Sequence, residues 1–474
     1  MLLRTIIIIN LLLATPAIAT HNYVVRIDSD LKRMHVTAIF AAPQNEIAAR
    51  SRNAGDFLLT ASDCDAHQPL QNDGRRLRIP AAGIRCLSYE VDMRRAAAAE
   101  RRNATLADNN LLLAPAVWFW RPALEEAAPV QVRFELGEGI ELMLPWKLLD
   151  PQLDLYQPMR SPQSSTSVAA IGRFDSREES IPGATLRIAL LAGQQPYAGD
   201  GIAAWIANTA ATINLAYGRF PNPAPTVIVI PVGDSARRKD AVTFGRVIRD
   251  GGESIELFIN EASPLEDFAG NWAATHEFTH LMLPYVERKH RWISEGFAQY
   301  YQNVLLARSG HYSEQQAWEK ILDGLERGRQ SVPALSPNAA ALADTSAARM
   351  KVYWSGAALA LMADLELRRR SAGRESLDTV LDRLQACCLP SAHSWSGPEL
   401  LHKMDTLISE PVFMPIYRQF ADTDGFPDVR PQLRQLGVSR NSDTVRLSQL
   451  APLAAVRSAI TAPRLPVASD HSGD

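Results

Sequence analysis

The sequence predicts an α+β multidomain protein: an N-terminal β-sandwich, a sheet-and-helix domain and a helical C-terminal region. Short alternating apolar runs between turn residues fill residues 21–150, the rhythm of half-buried strands. From residue 183 the order becomes strand, helix, strand, strand, and a mostly helical stretch follows from about Gly270 to Arg370. A length of 474 residues, 46% hydrophobic and 21% charged, is more than one core serves.

Residues 1–20 read as a signal peptide: Arg4, an apolar run from Ile6 to Leu13 broken by Asn10, and a small-x-small site at Ala17-Ile18-Ala19. The run is shorter than the roughly 20 residues a spanning helix needs, so no stable membrane span is expected after cleavage. An exported chain, periplasmic or secreted, follows. The 49 Lys+Arg against 52 Asp+Glu give a formal charge of −3, which argues against a nucleic-acid partner. Cys64 and Cys86 share a strand-rich segment and are expected to form a disulfide. Cys387 and Cys388 are adjacent, and the expectation is buried small hydrophobes, or one of them bonded elsewhere.

In the first domain the strand candidates are residues 23–27, 35–40, 76–79 and 130–134, which read as an antiparallel sandwich. Residues 93–109 read as a helical excursion carrying the glycosylation triplet Asn103-Ala104-Thr105. Trp118, Phe119 and Trp120 are core aromatics, with carbohydrate contact as the alternative. Residues 151–182, with Ser161-Pro162-Gln163-Ser164-Ser165, read as a linker. The sheet-and-helix domain is expected over 183–385. Its strands are near Ala184–Leu191, Val227–Ile230 and Ser254–Ile259, and Ile202, Ile206, Thr209, Ile213 and Ala216 share one helix face. Residues 386–462 form the helical region, chiefly Pro398 to Leu436 after a Ser396 cap, and 463–474 a disordered tail.

The chemistry concentrates in His276-Glu277-Phe278-Thr279-His280 and Trp292-Ile293-Ser294-Glu295-Gly296-Phe297-Ala298-Gln299-Tyr300-Tyr301. On a helix His276 and His280 lie one turn apart on one face, so both imidazoles reach a single cation, the arrangement of a zincin motif. Glu277 projects beside that face, one water away from the cation. Glu295 is the candidate third ligand, arriving on a return helix. His290 is the rival, although its charged neighbours Glu287 to Arg291 suggest a solvent-facing ring. Two His, one Glu and a water make a catalytic zinc set with an open position.

This pattern resembles the gluzincins, zinc metallopeptidases defined by HExxH and a downstream Glu. The stretch from Trp292 to Tyr301 is similar to their second zinc-ligand helix, particularly in the peptidase MA-like, glycyl aminopeptidase and alanyl aminopeptidase groups. The resemblance implies a thermolysin-like zincin catalytic domain, a Zn2+ cofactor, and a peptide or protein substrate. It also implies that Tyr353, in Tyr353-Trp354-Ser355-Gly356-Ala357, stabilises a tetrahedral intermediate, with Tyr300 and Tyr301 as other candidates. Gly251, Gly252 and Glu253 stand where those families place a substrate-binding segment. The glycines would let a substrate backbone approach, and Glu253 would pair with a free amino terminus, or the segment is an ordinary turn into a strand. Gln299, or Asp364, is expected to hydrogen-bond a ligand His.

The expected function is therefore zinc-dependent peptide-bond hydrolysis, a metallopeptidase and in one version an aminopeptidase, with Glu277 as general base. The alternative is a zinc-stabilised scaffold of the same fold without turnover, for which Glu277 would be surplus. Endo- or exo-cleavage and oligomeric state are left open by the sequence.

Overall fold

A computed structural model describes residues 20–99, 110–122, 128–159, 167–193, 199–233, 240–441 and 444–463. The signal segment apart from Thr20, the Asn103 triplet, the Ser161–Ser165 run and the tail after Pro463 lie outside them.

The N-terminal part contains β1 (His21–Ile27), β2 (Arg33–Gln44), β3 (Leu58–Asp63), β4 (Gln68–Pro69), β5 (Ile84–Asp92), α1 (Met93–Ala99), β6 (Asn110–Leu113), α2 (Pro115–Trp118), β7 (Val130–Leu136), β8 (Glu141–Met143), β9 (Lys147–Asp150), β10 (Leu155–Gln157) and β11 (Ala169–Gly172). Eight strands form one sheet in the order β4-β3-β5-β2-β1-β7-β10-β9, and β6-β11-β8 form a second. In β1 the residues Tyr23, Val25 and Ile27 face the core while Asn22 and Arg26 face water, the two-residue period of a half-buried strand. Two departures from expectation stand out. The β1–β7 pair is parallel, so the sandwich is not wholly antiparallel. The span 151–182 is not a linker, since β10 and β11 belong to the N-terminal sheets and β12 (Asp175–Ile181) to the next one. Its described polar residues fall largely in the edge strand β12 and in the turn before β10.

The three-stranded sheet joins the two halves. Leu113, Leu142 and Ile171 pack with Val25, Phe134, Trp118 and Trp120, which are buried core aromatics and aliphatics. Their strand neighbours Leu112, Met143 and Ala170 point the other way, onto Ala189, Ile228, Ile230 and Phe258. A strand apolar on both faces is what burial on both sides demands. Cys64 and Cys86 are disulfide-bonded, as expected, with Cα atoms 5.3 Å apart.

A five-stranded sheet runs β12-β13-β14-β16-β15, built from β12, β13 (Ala184–Leu190), then after α3 (Gly199–Asn214) β14 (Thr226–Val232), β15 (Val242–Ile248) and β16 (Ser254–Asn260). β13, β14 and β16 are mutually parallel, whereas β15 is antiparallel to β16 and forms one edge. The sequence reading did not find β15. A helical layer follows: α4 (Trp272–Thr279), α5 (Arg291–Arg308), α6 (Glu314–Gln330), α7 (Pro337–Ala343), α8 (Arg349–Arg370) and α9 (Leu377–Cys388). The chain ends in α10 (Gly397–Thr406), α11 (Phe413–Phe420), α12 (Arg430–Leu436), the hairpin β17 (Val438–Asn441) and β18 (Thr444–Leu447), and α13 (Ala454–Thr461). Leu400, Phe413, Leu433 and Ile460 share one core with Trp292 and Leu361, so no packing boundary falls near residue 386. Cys387 and Cys388 bond to each other, contrary to the expectation of two thiols or a distant partner. Among the described residues no helix is long and apolar enough to cross a membrane.

The crossing of α5 and α8 fixes the working part of the molecule. Gly296 and Gly356 meet there, and a Cβ on Gly356 would overlap the Trp292 carbonyl and stand 2.8 Å from the Gly296 Cα. Glu295 immediately precedes one glycine, and Tyr353 lies about one turn before the other. Buried polar pairs lock α5 in place. The Tyr300 hydroxyl donates to Asp364 at 2.9 Å, the Tyr301 hydroxyl to Asp378 at 2.8 Å, and Arg308 pairs with Asp378 at 2.9 Å.

Candidate metal centre

Helix α4 starts at Asn271, whose side chain accepts from the backbone N–H groups of Ala273 and Ala274 at 3.0 and 3.1 Å. It is a short helix. His276 lies within it, and His280 falls at its C-terminal cap, where a 3-10 turn continues the coil. Both rings therefore keep the one-turn spacing, with centroids 4.8 Å apart. From α5 a single carboxylate oxygen, Glu295 Oε2, stands 3.3 Å from His276 Nε2 and 3.5 Å from His280 Nε2. All three ligand atoms lie within 4.8 Å of one another.

Donor identity and spacing both fit a divalent cation. Tetrahedral ligands at the zinc distances of about 2.0–2.1 Å are about 3.4 Å apart, the separation Glu295 keeps from each ring. The Nδ1 atoms are engaged on the far side: His276 Nδ1 donates to Gln302 Oε1 at 2.9 Å, and His280 Nδ1 lies 3.2 Å from Ser294 Oγ. An amide oxygen can only accept, so it holds the proton on Nδ1 and leaves the Nε2 lone pair for a metal. The electrostatics match a site waiting for positive charge. Burial alone would lower the His276 imidazole, but the hydrogen bond to Glu295 and the charges of Glu277 and Glu295 raise it. Burial alone would raise Glu295, and the two imidazoles hold it far below the usual carboxylate range.

Glu277 turns away from this triangle toward the edge strand. A Cβ on Gly245 of β15 would sit 2.5 Å from the Glu277 Cγ, so glycine makes room for the acid there. Burial pushes its carboxyl upward, opposed by His276 and His280 and aided by Glu295. A group so poised accepts and returns a proton more readily than an ordinary carboxylate. Gly245→Val is accordingly expected to displace Glu277 and cut turnover about tenfold or more while metal content stays at the wild-type value. Metal analysis alongside kinetics checks this, and unchanged turnover would contradict it.

Tyr353 faces the same space, its ring centroid 5.9 Å from that of His276. The Glu295 charge, then burial and Glu277, push its phenol well above its ordinary range, so it stays a protonated donor. Tyr300 and Tyr301 are bound to Asp364 and Asp378 and are not available for that task.

Four expectations need correction. Gln299 does not reach a ligand His; Gln302 does. Seven residues span almost two turns, which returns Gln302 to the Glu295 face and within reach of the His276 ring. Asp364, the other candidate, is buried and tied to Tyr300, Arg368 and the Leu377 N–H. His290 is no ligand but is buried, not solvent-facing, with its ring beside Tyr417. Gly251, Gly252 and Glu253 do not line the metal centre. Trp146 and Pro145 occupy the space over the two glycines, and Glu253 pairs with Arg249 at 2.8 Å and with Asn222. Gly252 and Glu253 instead border a separate cavity of about 530 Å³ with Trp146, Arg187 and Pro390. Arg249 also donates to the His280 and Leu283 carbonyls at 2.7 and 2.9 Å, so this segment braces the end of α4.

The sequence profile of the M61 glycyl aminopeptidase family matches residues 272–359, the stretch from α4 to the first half of α8. No curated protein sequence matches the chain. Among solved structures, an aminopeptidase N family protein from Idiomarina loihiensis is 16% identical, with a TM-score of 0.63 over 88% of this chain and 78% of the other. An M1 zinc metallopeptidase from Deinococcus radiodurans is 14% identical, with a TM-score of 0.48 over 87% and 95% of the two chains. The stretch bearing both helices is thus gluzincin-like, and the multidomain α+β fold is similar to that of the aminopeptidase N relative.

Proposed function

We propose that the chain is a zinc-dependent peptidase of the gluzincin type. The observation that carries the reading is Glu277, an acid beside two imidazoles and a carboxylate that form a ligand triangle without it. A scaffold that only stored zinc would have no use for it. The profile match over 272–359 supports a peptide substrate.

His276, His280 and Glu295 would hold the zinc ion, which when bound would lower the pKa of a water and polarise a scissile carbonyl. Glu277 would accept a proton from the attacking water and pass it to the leaving amine. Tyr353 donates its hydroxyl to the oxygen on which negative charge develops. Gln302 and Ser294 keep the imidazoles oriented through their Nδ1 atoms. The edge strand β15 stands next to Glu277 and offers backbone groups along which an extended peptide can lie. The Cys64–Cys86 disulfide supports the further proposal that the protein is exported.

Digestion of a peptide mixture by zinc-loaded protein, with products identified by mass spectrometry, tests the reading. Cleavage that stops with a chelator and returns with zinc is expected, and no cleavage by a chain carrying one zinc would overturn it. Tyr353→Phe removes the oxyanion donor and is expected to lower kcat by about 10²-fold or more with KM little changed. A wild-type kcat in that variant would shift the role elsewhere.

A further inference from the structure

Resting on the zinc site of that reading, we propose that Arg249 is a positioning residue for the ligand His280, acting on the metal through the backbone turn that carries this ligand. Two independent observations carry the proposal.

The first is the unequal footing of the two imidazoles. His276 lies inside α4, and its ring is held at Nδ1 by the Gln302 amide oxygen at 2.9 Å. His280 stands at the C-terminal cap, where the regular helix gives way to the 3-10 turn His280–Met282. Its Nδ1 has Ser294 Oγ at 3.2 Å, a longer contact with a hydroxyl that can rotate to donate or to accept. The His280 ring is therefore set less firmly from its own side, and its direction depends on how its backbone is held.

The second is what holds that backbone. The last carbonyls of a helix have no partner within it. Here the Leu283 N–H closes the turn onto the His280 carbonyl at 3.2 Å, and Pro284, which has no N–H, follows. Arg249, immediately after β15, brings a single nitrogen, Nη2, to 2.7 Å from the His280 carbonyl and 2.9 Å from the Leu283 carbonyl. That nitrogen carries two N–H groups, one for each oxygen. The guanidinium thus spans the turn from end to end, and its charge lies at the negative pole of α4. It is itself fixed in place: Nε donates to Glu253 Oε1 at 2.8 Å, and Asn222 donates to Glu253 Oε2. Arg249 is 6% exposed and Leu283 2%, so water does not readily replace these donors once the guanidinium is removed. The contacts from Asn222 through Glu253 and Arg249 end at the ligand.

The test compares wild type, Arg249→Gln and Arg249→Lys by three readings: zinc affinity from competition with a chromophoric chelator, the visible spectrum of the cobalt(II)-substituted protein, and the unfolding midpoint of the metal-free chain. Arg249→Gln is expected to bind zinc about 10- to 100-fold more weakly and to shift the cobalt bands, which report ligand geometry. Arg249→Lys keeps a cation near the carbonyls but not the planar fork, and an intermediate loss is expected. A residue that served stability alone would lower the metal-free midpoint and leave the zinc affinity of the folded protein and the cobalt spectrum at their wild-type values. That result would overturn the proposal. Circular dichroism establishes that each variant is folded. If Arg249→Gln does not fold, Arg249→Lys decides, and wild-type affinity with a wild-type spectrum in it overturns the proposal equally. None of these readings requires peptide hydrolysis, so a zinc-binding wild type that cleaves nothing defeats the peptidase reading alone. A wild type that binds neither zinc nor cobalt defeats both.

Discussion

Glu277→Gln is expected to lower peptide hydrolysis by about 10²- to 10⁴-fold, the usual contribution of a positioned general base. The amide keeps the size of the side chain, and the space beside Gly245 still receives it. What it loses is the ability to take a proton. Because Glu277 stands outside the ligand triangle, zinc content should remain at one per chain. Loss of activity with loss of metal would instead make Glu277 a support for the ligands. Retained activity would remove it from the mechanism.

Gly356→Val is expected to have the largest effect on stability. Its added side chain meets the Trp292 carbonyl and the Gly296 Cα, backbone atoms that cannot rotate out of the way. Overpacking typically costs about 1–3 kcal/mol, and a clash of two helix backbones belongs at the upper end. Turnover should fall as well, since separating α5 from α8 moves Glu295 away from Tyr353. Gly233→Ala serves as the control, because among the described residues nothing lies within 4 Å of a Cβ there and its unfolding free energy should shift by no more than about 0.5 kcal/mol. Chemical denaturation midpoints for the two variants decide the matter. An undisturbed Gly356→Val would mean that the crossing can open without penalty.

The parts of the fold and site that were legible in the sequence are those set by short-range spacing. His276 and His280 are related by one helical turn, and Glu295 follows after a loop short enough to force a return helix, so the ligand triangle could be read from residue types and intervals. Tyr353 came from resemblance, and its ring lies 5.9 Å from that of His276. What could not be read depends on the meeting of distant segments. Gly245 sits in an edge strand whose residues Thr243, Phe244 and Arg246 show no apolar alternation, and its closeness to Glu277 arises only when the sheet is laid against α4. Glu253 is held from two sides, by Arg249 four positions before it and by Asn222 31 positions before it, and only the second depends on distant segments meeting. Gln302 was within reach of sequence reasoning. The seven-residue interval from Glu295 was the available signal, and the four-residue interval to Gln299 was followed instead. The polar span 151–182 misled for a related reason: β10 and β11 are only 3 and 4 residues long and pair with strands outside the span.

The central claim is that one divalent cation is held jointly by α4 and α5. Metal content after exhaustive dialysis against zinc-containing and then zinc-free buffer, measured on wild type and on Glu295→Gln, tests it most directly. The account predicts close to one zinc per wild-type chain and loss of most of it from the variant, whose folded state persists by circular dichroism. Equal zinc in both proteins, or none in the wild type, would contradict it.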